Sequence, residues 1–187
     1  MKIRLAKWFL RLAGWTSEGE LPAARGCVLI AAPHTSNWDL LFFLAHAWAF
    51  GVRVSWMGKH TLFHGPMGTI MRALGGIPVR RDRVGGLVGQ MSEAFERDPT
   101  LVLTVPPEGT RGYVAHWKSG FYQIARAARV PIVMGYLDYE RRAGGLGPAL
   151  VATDDVRADM DEIRAFYADK RGRHPDLFGA VLLKEES

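Results

Sequence analysis

Four short apolar runs govern how this chain can fold. They lie at 27–32, 52–57, 101–105 and 131–136, each bounded by turn residues. Runs of that length and composition read as buried strands. Helix-like stretches separate them at 40–50, 59–74, 87–97 and 118–129, with a last one at 156–172. Strands alternating with helices predict an α/β domain whose central sheet is mostly parallel or mixed and is flanked by helices. A brief extended piece is expected at 77–79, and the glycine-rich stretch at 141–148 reads as a loop. The 187 residues fit one domain, with no repeat and no linker. Residues 16–187 are therefore expected to form it, behind a helix at 1–15.

Composition narrows the function. Apolar residues make up 48% and charged residues 23%, enough for a core. One cysteine, Cys27, leaves no intramolecular disulfide and no multi-cysteine metal site, and suits a reducing compartment. The longest uncharged apolar stretch, 40–52, has thirteen residues. A membrane span needs about 20. No secretory signal is visible, so a cytoplasmic location is expected. The net charge of +5 is uneven: residues 51–134 carry eleven bases and five acids, residues 135–187 eight bases and eleven acids. The middle of the chain therefore suits an anionic partner.

Residues 1–15 form a basic amphipathic pattern. Arg4, Lys7 and Arg11 share one face, with Leu5, Trp8, Phe9 and Leu12 towards the other. This is the composition of an interfacial membrane helix, and equally of a surface helix packing its apolar side on the domain.

Three constellations carry chemistry. His34 and Asp39 cannot meet on one continuous helix, but they can if His34 lies in the loop after Pro33 and Asp39 in the first helical turn. Ser36 or Asn37 would cap that helix. The carboxylate would then orient the imidazole, leaving its other nitrogen for a hydroxyl proton. Taken alone, the spacing also fits a loop histidine and an acid that complements the helix dipole. Pro106, Pro107, Glu108, Gly109, Thr110 and Arg111 form a loop after a buried strand, where Arg111 can grip a phosphate. Arg80, Arg81 and Arg83 follow Gly75-Gly76 and suit an anion, or a solvated charge run.

In order, His34-x4-Asp39, Gly76-Ile-Pro-Val-Arg-Arg81, Pro107-Glu-Gly-Thr-Arg111 and Val130-Pro-Ile-Val133 resemble the motif blocks of the glycerolipid acyltransferases, the 1-acylglycerol-3-phosphate acyltransferase (PlsC-like) family. The likeness runs from about Cys27 to Gly135. It implies an α/β acyltransferase that moves an acyl group from coenzyme A or acyl carrier protein to the hydroxyl of a lysophosphatidic acid or related lysolipid. His34 would be the general base and Asp39 its orienting partner, with no metal and no bound cofactor. Arg81, Arg111, Lys59 and Lys118 would bind the acceptor phosphate. Glu108, Gly109, Thr110 and Gly76 would shape the site. Amides at the helix start after His34 are candidate oxyanion donors. The chain departs from the family pattern at Pro106 (usually Phe), Gly112 (usually Ser) and Arg80 (often an acid). Its expected place is the inner face of a membrane, held through residues 1–15.

Other readings remain at this stage. A non-glycerolipid alcohol would use the same base. Cys27 lies inside an apolar strand, and Ser36 lacks a nucleophile elbow, so neither suits a covalent intermediate. His60 and His64 have i, i+4 spacing without the rest of a zinc motif. A non-catalytic basic protein binding membrane or nucleic acid would use the charge and the tryptophans. No nucleic-acid motif is present, however, and Trp8, Trp38, Trp48, Trp56 and Trp117 read more economically as packing or pocket-lining residues.

Overall fold

Apolar on both faces, the run at 27–32 belongs in the middle of a sheet, and it lies there. The computed structural model describes residues 2–20, 26–80 and 86–186. Its elements are α1 (Lys2–Leu12), β1 (Thr16–Glu18), β2 (Cys27–Ala32), α2 (Trp38–Ala49), β3 (Val54–Lys59), α3 (Gly65–Ala73), β4 (Gly76–Val79), α4 (Gly86–Arg97), β5 (Val102–Val105), α5 (Gly120–Ala128), β6 (Ile132–Asp138), β7 (Ala143–Leu150) and α6 (Val156–Tyr167). The seven strands form one sheet in the order β1-β7-β6-β2-β5-β3-β4. The pairs from β6 to β4 are parallel, whereas β7 runs antiparallel to β6 with β1 parallel beside it. The sheet is therefore mixed.

Alternation along β2 explains its two faces. Val28 and Ile30 pack with Met91, Phe121, Ile124, Met160 and Ile163 from α4, α5 and α6. Cys27 and Leu29 face the other way, with Ala47, Val54, Val133 and the partly buried Phe43 and Leu44. On that second side α1 lies along α2, joining Ala6 and Leu10 to Ala45 and Ala49. Ile3 approaches Gly51 while Phe9 meets Phe42, so the two helices run antiparallel.

Several expectations need correction. The stretch read as a loop at 141–148 is mostly strand β7. Its glycines, normally unfavourable in strands, are there because neighbours occupy the side-chain space. A Cβ on Gly145 would lie 2.0 Å from the Glu18 carbonyl oxygen, and one on Gly147 2.4 Å from the Phe166 ring. β1 had no signal beyond three residues of backbone pairing to β7. The last helix stops at Tyr167 instead of reaching Gly172, because the backbone beyond it bonds elsewhere: the Arg171 carbonyl accepts from Tyr139 N–H at 2.8 Å. Trp117 is buried, but Trp8, Trp38 and Trp48 are 60%, 52% and 41% exposed, so these three are not core residues.

Gly145→Ala is expected to lower stability by about 1–3 kcal/mol, because the added methyl must push β1 off β7. Urea unfolding of the two proteins checks this, and coincident midpoints would show that the edge yields without cost.

Candidate active site

Three loops leave the carboxyl ends of the adjacent strands β6, β2 and β5 and meet at one place. The loop after β2 carries His34, the one after β5 carries Glu108, and the residue after β6 is Tyr139. Strand carboxyl ends are where side chains of an α/β sheet converge over a ligand.

His34 sits in the loop and Asp39 in the first turn of α2, the arrangement that lets them meet. His34 Nδ1 is 3.2 Å from Asp39 Oδ2. That oxygen also accepts from the Thr35 and Ser36 amides at 2.8 Å each. Asp39 Oδ1 accepts from the Tyr139 hydroxyl at 2.8 Å. Burial pushes the Asp39 carboxyl up, but bonds from His34, Ser36 and Tyr139 outweigh it and hold the group below its ordinary value. Burial and the Asp39 charge raise the Tyr139 phenol, which stays a donor. Of the two capping candidates, Ser36 makes the bond: its Oγ accepts from Trp38 N–H at 3.2 Å, whereas Asn37 makes no side-chain cap. Of the amides at the helix start that were candidate oxyanion donors, those of Thr35, Ser36 and Trp38 are already engaged.

Glu108 closes the site from the β5 side. Its Oε1 accepts from the His34 backbone N–H at 2.9 Å. The residue is 2% exposed, and Oε2 has no partner among the described residues. Burial therefore raises its carboxyl from 4.5 to about 7. Gly109 turns the loop at φ +66°, and a Cβ there would strike the Lys118 side chain, which lies across it.

Two concavities lie near the His34 loop. An apolar cavity of about 220 Å³ is lined by His34 and Pro33 and runs between α2 and the sheet, walled by Leu40, Leu44, Val54, Trp56 and Leu137. An open cleft is lined by Thr35, Ser36, Trp38, Arg111, Arg173 and His174.

The predicted residues thus divide. The structure brings together His34, Asp39 and Glu108, with Gly109 and Lys118 behind Glu108. Thr110 is exposed on the same loop, its Oγ1 accepting from Gly112 N–H at 3.3 Å, and Arg111 faces the cleft. Lys59 is exposed at the end of β3 and lines neither concavity. Gly76 is at the opposite end of β4, beneath the Phe63 ring, so it packs that strand instead of shaping the site directly. Arg81 and Arg83 lie outside the described residues. Cys27 is buried, and burial pushes its thiol up to about 11, away from nucleophilic use. His60 opens a 3-10 turn and His64 follows it, with ring centres 6.3 Å apart. Among the described residues no group of three ligating side chains gathers there or elsewhere.

Sequence reasoning missed Tyr139 and Arg173. Tyr139 had a usable signal, being the first residue after a strand that neighbours β2. Arg173 had none, because its position depends on where α6 stops.

The family profile described as Acyltransferase matches residues 3–135. Among solved structures, the 1-acyl-sn-glycerophosphate acyltransferase PlsC from Thermotoga maritima is similar, with a TM-score of 0.59 and 18% identity over 86% of this chain and 72% of that one. No curated protein sequence matches significantly.

The raised Glu108 carboxyl has a testable consequence. The folded state keeps this proton between pH 4.5 and about 7 while the unfolded chain has lost it. Stability must then fall as pH rises through that window, by on the order of 3 kcal/mol. Glu108→Gln should remove that component, so the variant gains on wild type between pH 5 and pH 8 in denaturant titrations. Parallel stability profiles would show that Glu108 is ionised in the fold throughout.

Proposed function

The chain belongs to the acyltransferase family, and on that premise we propose that it moves a fatty acyl group from acyl-coenzyme A or acyl carrier protein to the hydroxyl of lysophosphatidic acid or a related lysolipid. One observation carries this reading. The His34–Asp39 pair stands at the mouth of an apolar cavity, with a guanidinium-bearing cleft beside it. The cavity suits an alkyl chain and the cleft an anionic group; His34 lines the first, and its chain neighbours Thr35 and Ser36 line the second. The family assignment displaces the reading of the chain as a non-catalytic binding protein.

The chemistry follows from the hydrogen bonds. With Nδ1 turned to Asp39, Nε2 is the nitrogen left to take the acceptor's hydroxyl proton. The oxygen then attacks the thioester carbonyl carbon, forming the new C–O bond. The C–S bond breaks, and the departing thiolate takes the proton that His34 holds. Asp39, fixed by two amides and the Tyr139 hydroxyl, keeps its charge and stabilises the imidazolium. A thioester is already activated, so direct transfer needs no acyl-enzyme.

The same proposal places the protein peripherally on the cytoplasmic face of a membrane. No described helix is long and apolar enough to cross one. α1 packs its Ala6–Leu10 side on α2, yet leaves Leu5, Trp8 and Leu12 exposed as a second apolar stripe. Arg4, Lys7 and Arg11 are on the same helix and suit anionic headgroups.

His34→Ala is expected to lower acceptor-dependent thiol release from palmitoyl-coenzyme A by about 10²–10⁴-fold without loss of folding. Retention of most of the rate in a folded variant would remove His34 as the base. Separately, serine at Leu5, Trp8 and Leu12 should abolish co-sedimentation with anionic phospholipid vesicles at an unchanged melting temperature, since these side chains are exposed. Undiminished binding would assign the membrane contact to another surface.

A further inference from the structure

The segment that follows α6 returns to the site and is pinned there at three of four successive residues. The Arg171 carbonyl accepts from Tyr139 N–H at 2.8 Å. Gly172 is buried so closely that a Cβ would lie 2.7 Å from Thr35 Oγ1 and 3.0 Å from Pro33 Cβ. The His174 N–H donates to Thr35 Oγ1 at 3.2 Å. Both ends of this short stretch are thus tied to the His34 loop or to the residue that bonds Asp39.

Arg173 sits between these anchors. Its guanidinium carbon is 5.6 Å from the Trp38 ring centre and 6.0 Å from that of Tyr139. Two aromatic faces hold the cation in one orientation. It lines an open cleft of about 580 Å³ together with Arg111, and no carboxylate lines that cleft. Among the described residues no ion pair engages either guanidinium. Two cations facing one concavity repel each other unless an anion bridges them, and the planar fork of each matches a phosphate.

We propose that Arg173 is a substrate-binding residue contributed from outside the family-matched part of the chain, adding a second guanidinium to the cleft where Arg111 is expected to grip a phosphate. The inference rests on the acyl-transfer reading for its substrates. Phosphates enter that reaction from two sources, the acceptor's phosphomonoester and the coenzyme A donor. The geometry asks only for the phosphate.

Two measurements decide it, on the full chain with Arg173→Ala and Arg173→Lys. Inorganic phosphate, against chloride at equal ionic strength, should raise the melting temperature of wild type and not of Arg173→Ala. Equal stabilisation of both overturns the proposal. In steady-state thiol release, Arg173→Ala should raise one KM by about tenfold to a hundredfold, with kcat within about twofold and partial recovery in the lysine variant. A higher KM for lysophosphatidic acid assigns the acceptor phosphate, and a higher KM for palmitoyl-coenzyme A assigns the donor. Both KM values unchanged, or a fall in kcat alone with a lowered melting temperature, reduces Arg173 to a packing residue and overturns the inference. Absence of any turnover in wild type would count against the function proposed above, and the phosphate stabilisation would still decide this one.

Discussion

A carboxylate shut away from water stays charged only if hydrogen bonds replace the water it has lost, and Asp39 meets that condition. It is 4% exposed and receives the His34 ring, the Thr35 and Ser36 amides and the Tyr139 hydroxyl. Each bond ties a different piece of chain to the same point. Two shape the loop after β2, one orients the imidazole, and one draws in the end of β6. Tyr139 in turn holds Arg171 through its amide, so the return of the chain after α6 depends on the same node.

Glu108 shows what happens without that compensation. It is as deeply buried, but among the described residues its side chain accepts a single bond, from the His34 backbone N–H, and its carboxyl is pushed up to about 7. The two acids therefore flank His34 with opposite tendencies. Asp39 holds its charge against the imidazole ring. Glu108 resists charge and secures the backbone. Environment alone separates their roles.

Much of this was legible in the chain. The apolar runs placed β2, β3, β5 and β6, and the break at Pro33 allowed His34 to lie off the helix that carries Asp39. The order of the motif blocks pointed to Glu108 as a shaping residue, and its bond to His34 N–H gives that expectation a geometry. β7 was illegible because its glycines answer to Glu18, His46 and Phe166 beyond it in space, and local propensity says nothing of those neighbours. The exposed tryptophans misled for a related reason. A large apolar side chain signals burial, yet Trp8 and Trp38 lie on helix faces that leave them largely exposed.

What the sequence determined by itself was a mixed or parallel α/β sheet, a histidine and an acid able to meet, and a surplus of bases in the middle of the chain. Periodicity and charge are local properties, and they survive reading in one dimension. Tertiary structure alone decided that Tyr139 bonds Asp39, that Gly76 is remote from the site while Arg173 adjoins it, and that His34 lines an apolar cavity while Thr35 and Ser36 line a cationic cleft. Those facts depend on which strand ends lie side by side and where a helix stops. Both are settled by long-range packing and by backbone bonds between residues far apart in the chain.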